Sequence, residues 1–183
     1  MYMQIYPQSI TDRTTIFESA GYPAYSDGSY HGGIDTVHGN HLAYAPESGT
    51  IVVSHIWQGG TTGIDSWGNY IVVDMGSRTY WLAAHFAAQT HSVGEQITKG
   101  DLIGTQGRTG NVTGVHTHWE YWVGGQSTKY RQDPANLLGI PNGRGTYQVS
   151  WDASGPAPDP GPGPSPGQLK LPIWLLFKMA NRR

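Results

Sequence analysis

The chain has 183 residues, enough for one domain with a real core and short of two. Hydrophobic residues make up 37% and charged residues 13%, while 26 Gly, 12 Pro, 7 Trp and 11 Tyr favour a turn-rich β domain over a helical one. The absence of cysteine excludes a thiol nucleophile, a thiolate zinc site and a disulfide framework, and the formal charge of −2, with no basic stripe along the body, argues against a nucleic-acid partner.

In chain order, residues 1–30 read as an irregular lead-in with one short helix near residues 15–20. The opening Met1-Tyr2-Met3-Gln4 has no basic segment followed by an apolar run, so no secretory signal peptide is expected. Strands are expected over 49–56, 69–75 and 79–86, each short, β-branched or aromatic, and bounded by Gly or Ser. Such close spacing leaves no room for crossover helices and predicts antiparallel pairing. Residues 93–104 read as two very short strands joined by a glycine turn, and 115–123 as a further strand. A short helix follows over 133–138, with Asp133 as its N-cap and Pro134 in the first turn.

Residues 155–167 alternate Pro and Gly and read as a linker separating a domain over 1–154 from a tail over 168–183. The tail carries Lys170, Lys178, Arg182 and Arg183 without an acid, a charge of +4 that leaves −6 on the rest of a −2 chain. Its apolar run, around Ile173-Trp174-Leu175-Leu176-Phe177, is far below the ~20 residues that span a bilayer. It suits docking on a partner protein or lying in a membrane interface.

Two histidine motifs and one lone histidine carry the chemistry. In His31-Gly32-Gly33-Ile34-Asp35, a flexible glycine pair would let an imidazole and a carboxylate converge on one ion. In His116-Thr117-His118, strand alternation turns both imidazoles to one face and Thr117 to the other. Glu120 falls on the same face as the two histidines, where it either orients an imidazole from behind or is a solvated strand-end charge. His85 ends the apolar run from Tyr80. Nitrogen and oxygen donors without sulfur favour zinc, with cobalt or manganese as substitutes.

These motifs stand in a longer pattern: His31-Gly32-Gly33-Ile34-Asp35, then Trp67-Gly68-Asn69-Tyr70-Ile71-Val72-Val73, a strand ending in His85, and a glycine-punctuated run from Val93 into His116-Thr117-His118-Trp119-Glu120. The pattern, over about residues 25–138, resembles the lysostaphin/LytM-type zinc metallopeptidases, which cut the peptide part of bacterial peptidoglycan. The resemblance implies a mainly β fold: a compact antiparallel sheet with a duplicated hybrid motif, long loops and few short helices. It implies one zinc ion on His31, Asp35 and His118, and catalytic roles for His85 and His116. It also implies a tyrosine near the scissile carbonyl, for which Tyr25 is the first choice and Tyr22 or Tyr30 fits equally. Phe86 and Thr117 stand where the family usually has leucine; neither change removes a ligand or base.

The implied reaction is hydrolysis of cross-links or cross-bridges, with His116 or His85 taking a proton from water. Residues 58–67 are expected to wall the substrate groove, and His38, His41, His55 and His91 to be surface or structural. The linker and tail point to a phage setting outside the cytoplasm, either a virion tail, with residues 168–183 docking on other tail proteins, or a holin-released lysin. The competing reading is a catalytically silent wall-binding or structural virion module of the same fold.

Overall fold

The computed structural model describes residues 12–18, 31–39, 41–140, 142–143 and 145–149. The linker, the tail and the three candidate tyrosines Tyr22, Tyr25 and Tyr30 lie outside them. Strands run in the order β1 (Asp12–Glu18), β2 (Ile34–His38), β3 (Leu42–Tyr44), β4 (Gly49–His55), β5 (Tyr70–Asp74), β6 (Thr79–Ala84), β7 (Gln96–Ile97), β8 (Leu102–Thr105), β9 (Thr117–Val123) and β10 (Arg131–Gln132). A four-residue helix α1 (Ala135–Leu138) and strand β11 (Gly145–Val149) follow. The mainly β architecture expected from composition and the antiparallel pairing expected from strand spacing hold. The main sheet has the order β11-β1-β2-β9-β6-β5-β4-β7, with β10 also pairing β9, and β3 and β8 form a separate ribbon.

Two local expectations change, and a third is met with an unforeseen pairing. Of the segment expected to be helical near residues 15–20, the described residues 15–18 instead lie in β1, which pairs with β11 on one side and β2 on the other. Its Thr14-Thr15-Ile16 run is β-branched, and two available strand edges satisfy its backbone better than an isolated helical turn would. The two very short strands expected within 93–104 are present as β7 and β8, and each joins another strand: β7 pairs with β4 and β8 with β3. The 133–138 helix is capped from one residue earlier than a standard N-cap, with Pro134 at the cap and the Asp133 carboxylate accepting the Ala135 N–H at 2.9 Å.

The sheet buries both faces. One face packs Ile51, Ile71, Val73, Trp81 and Trp119 against Ala43 and Tyr44 of β3 and Ile103 of β8. The other carries Tyr70, Val72, Leu82, Ala84 and Trp122, with Trp67, Tyr80 and Tyr130 packed beside them. Strand β9 is central. Its first residues pair with β2, placing Asp35 opposite His118, and Tyr121 and Trp122 then pair with β10. Its other edge pairs with β6, placing Ala84 opposite His118 and Leu82 opposite Glu120. Asp35, His118 and the end of β6 are thereby brought to one point on the second face.

Candidate metal centre

Three donor atoms converge where β2 meets β9. His31 Nε2 lies 3.2 Å from Asp35 Oδ1 and 3.1 Å from His118 Nδ1, and His118 Nδ1 lies 2.7 Å from the same carboxylate oxygen. All three residues are buried. The two glycines between His31 and Asp35 serve close approach rather than flexibility. A Cβ on Gly33 would run into the Trp119 carbonyl and the His118 imidazole, and one on Gly32 into the Arg131 guanidinium. Neither glycine is in the left-handed region.

The set fits a zinc ion. Arms of about 2.0–2.1 Å in a tetrahedron separate neighbouring ligand atoms by about 3.3 Å, close to the spacings here. Two imidazoles and one carboxylate without sulfur are the donors zinc accepts in sites that keep an open position. Behind His118, Glu120 Oε1 accepts from His118 Nε2 at 3.1 Å, which leaves Nδ1 as the nitrogen facing Asp35 and His31. Glu120 is fully buried, so the solvated strand-end reading is overturned. Its Oε2 accepts from Trp122 Nε1 at 2.7 Å and from Arg131 Nε at 2.6 Å, and Arg131 Nη2 donates to Oε1.

Two further imidazoles flank the cluster. His116 sits one residue before β9, with its Nε2 3.5 Å from Asp35 Oδ2. His85 sits one residue after β6, its ring centre 4.7 Å from that of His116 and 5.8 Å from that of His118. His85 Nδ1 donates to the Thr109 carbonyl at 2.9 Å and His116 Nδ1 to the Gly114 carbonyl at 3.0 Å. A carbonyl only accepts, so Nδ1 carries the hydrogen and the neutral ring keeps its lone pair on Nε2. Thr117 points to the opposite face, where its Oγ1 accepts from Gln106 Nε2 at 3.1 Å.

Charge separates the two groups. Burial would raise the Asp35 carboxyl, but the hydrogen bonds and charges of His118, then of His31, hold it well below the usual carboxylate range. Burial would lower His118, yet Asp35 and then Glu120 push it up to about 9. For Glu120, burial is likewise outweighed, here by His118 and Arg131, and its carboxyl falls to about 2. His85 is pushed down to about 3, first by burial and then by repulsion from His118 and His116. Burial also lowers His116, against the pull of Asp35.

Sequence reasoning missed the frame that holds His85. Its φ of 67° is left-handed, a conformation that costs a residue with a Cβ about 1–3 kcal/mol. The neighbouring backbone fixes it: His85 N–H donates to the Trp67 carbonyl at 2.9 Å and Phe86 N–H to the Asn69 carbonyl at 3.1 Å. Asn69 Nδ2 and Thr109 Oγ1 both donate to the Phe86 carbonyl, at 2.8 and 3.0 Å. Asn69 and Thr109 lie within the quoted pattern that carried the resemblance, so a signal was present; Arg131 had none. Of the other histidines, His91 bridges Glu95 and the Leu102 carbonyl, and His55 stacks on Tyr70 with ring centres 5.0 Å apart.

The sequence matches the model of peptidase family M23 over residues 29–130, more than half of the chain. The chain belongs to peptidase family M23. Among its relatives, peptidoglycan DD-endopeptidase ShyA of Vibrio cholerae is 36% identical over 59 residues, 32% of this chain and 14% of ShyA. The chain thus matches only about a seventh of that relative's length. The catalytic domain of the antimicrobial peptidase lysostaphin from Staphylococcus simulans superposes with a TM-score of 0.55 at 27% identity, covering 64% of this chain and 86% of that one. A zinc-containing peptidase from Vibrio cholerae aligns with a TM-score of 0.50 at 21% identity, over 66% of this chain and 36% of that one, a likeness of fold alone.

Proposed function

We propose that the chain is a zinc-dependent endopeptidase that hydrolyses peptide cross-links or cross-bridges of bacterial peptidoglycan. The observation that carries this reading is the convergence of His31, Asp35 and His118 on one point, flanked by two imidazoles whose Nδ1 atoms are committed to carbonyls. Membership of a peptidase family, and likeness to a peptidoglycan endopeptidase and an antimicrobial peptidase, support the substrate class.

His31 Nε2, Asp35 and His118 Nδ1 would hold the ion. When bound, zinc supplies Lewis acidity for the scissile carbonyl and makes a water molecule acidic near neutral pH. The lowered basicity of His116 and His85 keeps both neutral at pH 7, so Nε2 of either can take a proton from water and return it to the leaving amine. Once protonated, the same imidazole stabilises the oxyanion that develops on the carbonyl. Tyr25 is proposed to act beside it. Glu120, saturated with donors, orients His118. We further propose that the enzyme works outside the cytoplasm as a phage virion-tail protein or released lysin, with residues 168–183 docking on a tail protein or a membrane surface.

Purified cell walls test the reading. Zinc-loaded protein should release new amino groups, and chelated protein should not, with activity restored by added zinc. Equal release by chelated and zinc-loaded protein would refute it. Deleting residues 168–183 should leave hydrolysis intact while abolishing incorporation into particles.

A further inference from the structure

The Glu120 carboxylate has no contact with water, yet it stands directly behind a residue of the metal cluster. A carboxylate offers about four lone-pair positions. All four are taken here: Oε1 by His118 Nε2 and Arg131 Nη2, Oε2 by Arg131 Nε and Trp122 Nε1. Two of the four donors belong to Arg131, in the fork geometry that fixes a carboxylate's plane as well as its position. Arg131 comes from β10, which continues the edge of β9 where β2 leaves off, and the missing side chain of Gly32 makes room for the guanidinium beside the cluster.

We propose that Arg131 is a positioning residue of the metal site: its two-point grip on Glu120 fixes the carboxylate that orients His118, so that His118 Nδ1 presents its lone pair to the ion. The inference rests on the zinc reading above and deepens it. It opposes what charge alone requires, because a guanidinium near a dication weakens binding by repulsion. A role through orientation and a role through charge therefore predict changes of opposite sign. Lysine keeps the charge but is a point donor that cannot grip both oxygens.

Competition for zinc with a chromophoric chelator, at fixed pH and ionic strength, measures the affinity of the full chain and of R131M, R131K and E120Q. Melting of each metal-free protein reports folding. R131M should bind zinc about tenfold or more weakly, in the range seen when groups behind a metal ligand are removed, and R131K should be weakened too. In the cobalt-loaded protein, R131M should alter the visible absorption bands that report ligand geometry. In an E120Q background, R131M should change affinity by no more than about twofold, because the path through Glu120 is already cut. Unchanged or tighter zinc binding by R131M overturns the proposal. If R131M does not fold, a folded R131K with wild-type affinity and an unchanged cobalt spectrum overturns it. Wild-type protein that takes up no zinc removes the zinc reading and this one together. Zinc-binding wild type with unaffected variants removes only this one.

Discussion

His118 and His85 lie 5.8 Å apart, ring centre to ring centre, yet they are held in opposite ways. His118 stands between two buried carboxylates, Asp35 and Glu120, and its basicity rises to about 9. His85 donates to a backbone carbonyl, faces other imidazoles and falls to about 3. Both are buried and burial lowers both: it prevails at His85 and is overridden by the carboxylates at His118. Carboxylates at the ring nitrogens make His118 an electron-rich ligand, while at His85 burial keeps the ring neutral and the carbonyl fixes which nitrogen carries the hydrogen.

Breaking the carboxylate side should have the largest effect. Asp35 touches His31, His116 and His118, so Asp35→Asn removes the one carboxylate among the three converging residues while preserving its shape. Elemental analysis should find the variant without zinc, and amine release from walls should disappear. Breaking the carbonyl side should leave the metal in place. His116→Ala should retain stoichiometric zinc while kcat falls by about 10²–10⁴-fold, the contribution of a positioned base. Loss of zinc together with activity would mean that the two kinds of histidine are not separable.

Acidity sharpens the comparison further. His118 has its basicity raised on folding, so its contribution to metal-free stability is complete below about pH 6.5 and is lost as pH rises through about 9. His85 is lowered, so the unfolded chain takes up its proton first, and stability falls as pH drops from about 6.5 towards about 3. Glu120 adds a loss as pH falls from about 4.5 to about 2. Melting of the metal-free protein should therefore peak near pH 6.5. Zinc uptake at pH 7 should release protons, read by calorimetry in buffers of different ionisation enthalpy, because the ion must displace the proton of His118. A flat melting profile with no proton release would contradict the opposed environments.

The smallest effect concerns the frame of His85. Thr109→Val removes the hydroxyl that donates to the Phe86 carbonyl and accepts the Asn69 N–H at 2.9 Å. Chemical denaturation should show a loss of about 1–2 kcal/mol. Zinc affinity should be unchanged, since no ligand moves.

What the sequence determined by itself came from short-range periodicity. Alternation along 116–120 puts His116, His118 and Glu120 on one face because strand geometry has a period of two, and that holds without knowledge of the partner strands. The short β-branched or aromatic runs that became β4, β5, β6 and β9 were legible from local composition. Pairing between distant segments decided the rest. A helix is expected near residues 15–20, yet two strand edges draw residues 15–18 into β1. Arg131 carries no local mark of its role, because its partner Glu120 and its neighbour Gly32 meet it only through the shared edge of β9. The left-handed backbone of His85 likewise depends on Trp67, Asn69 and Thr109 closing around it. A residue's own neighbours set its face and spacing; which charge, carbonyl or guanidinium meets it there is fixed only when the sheet closes.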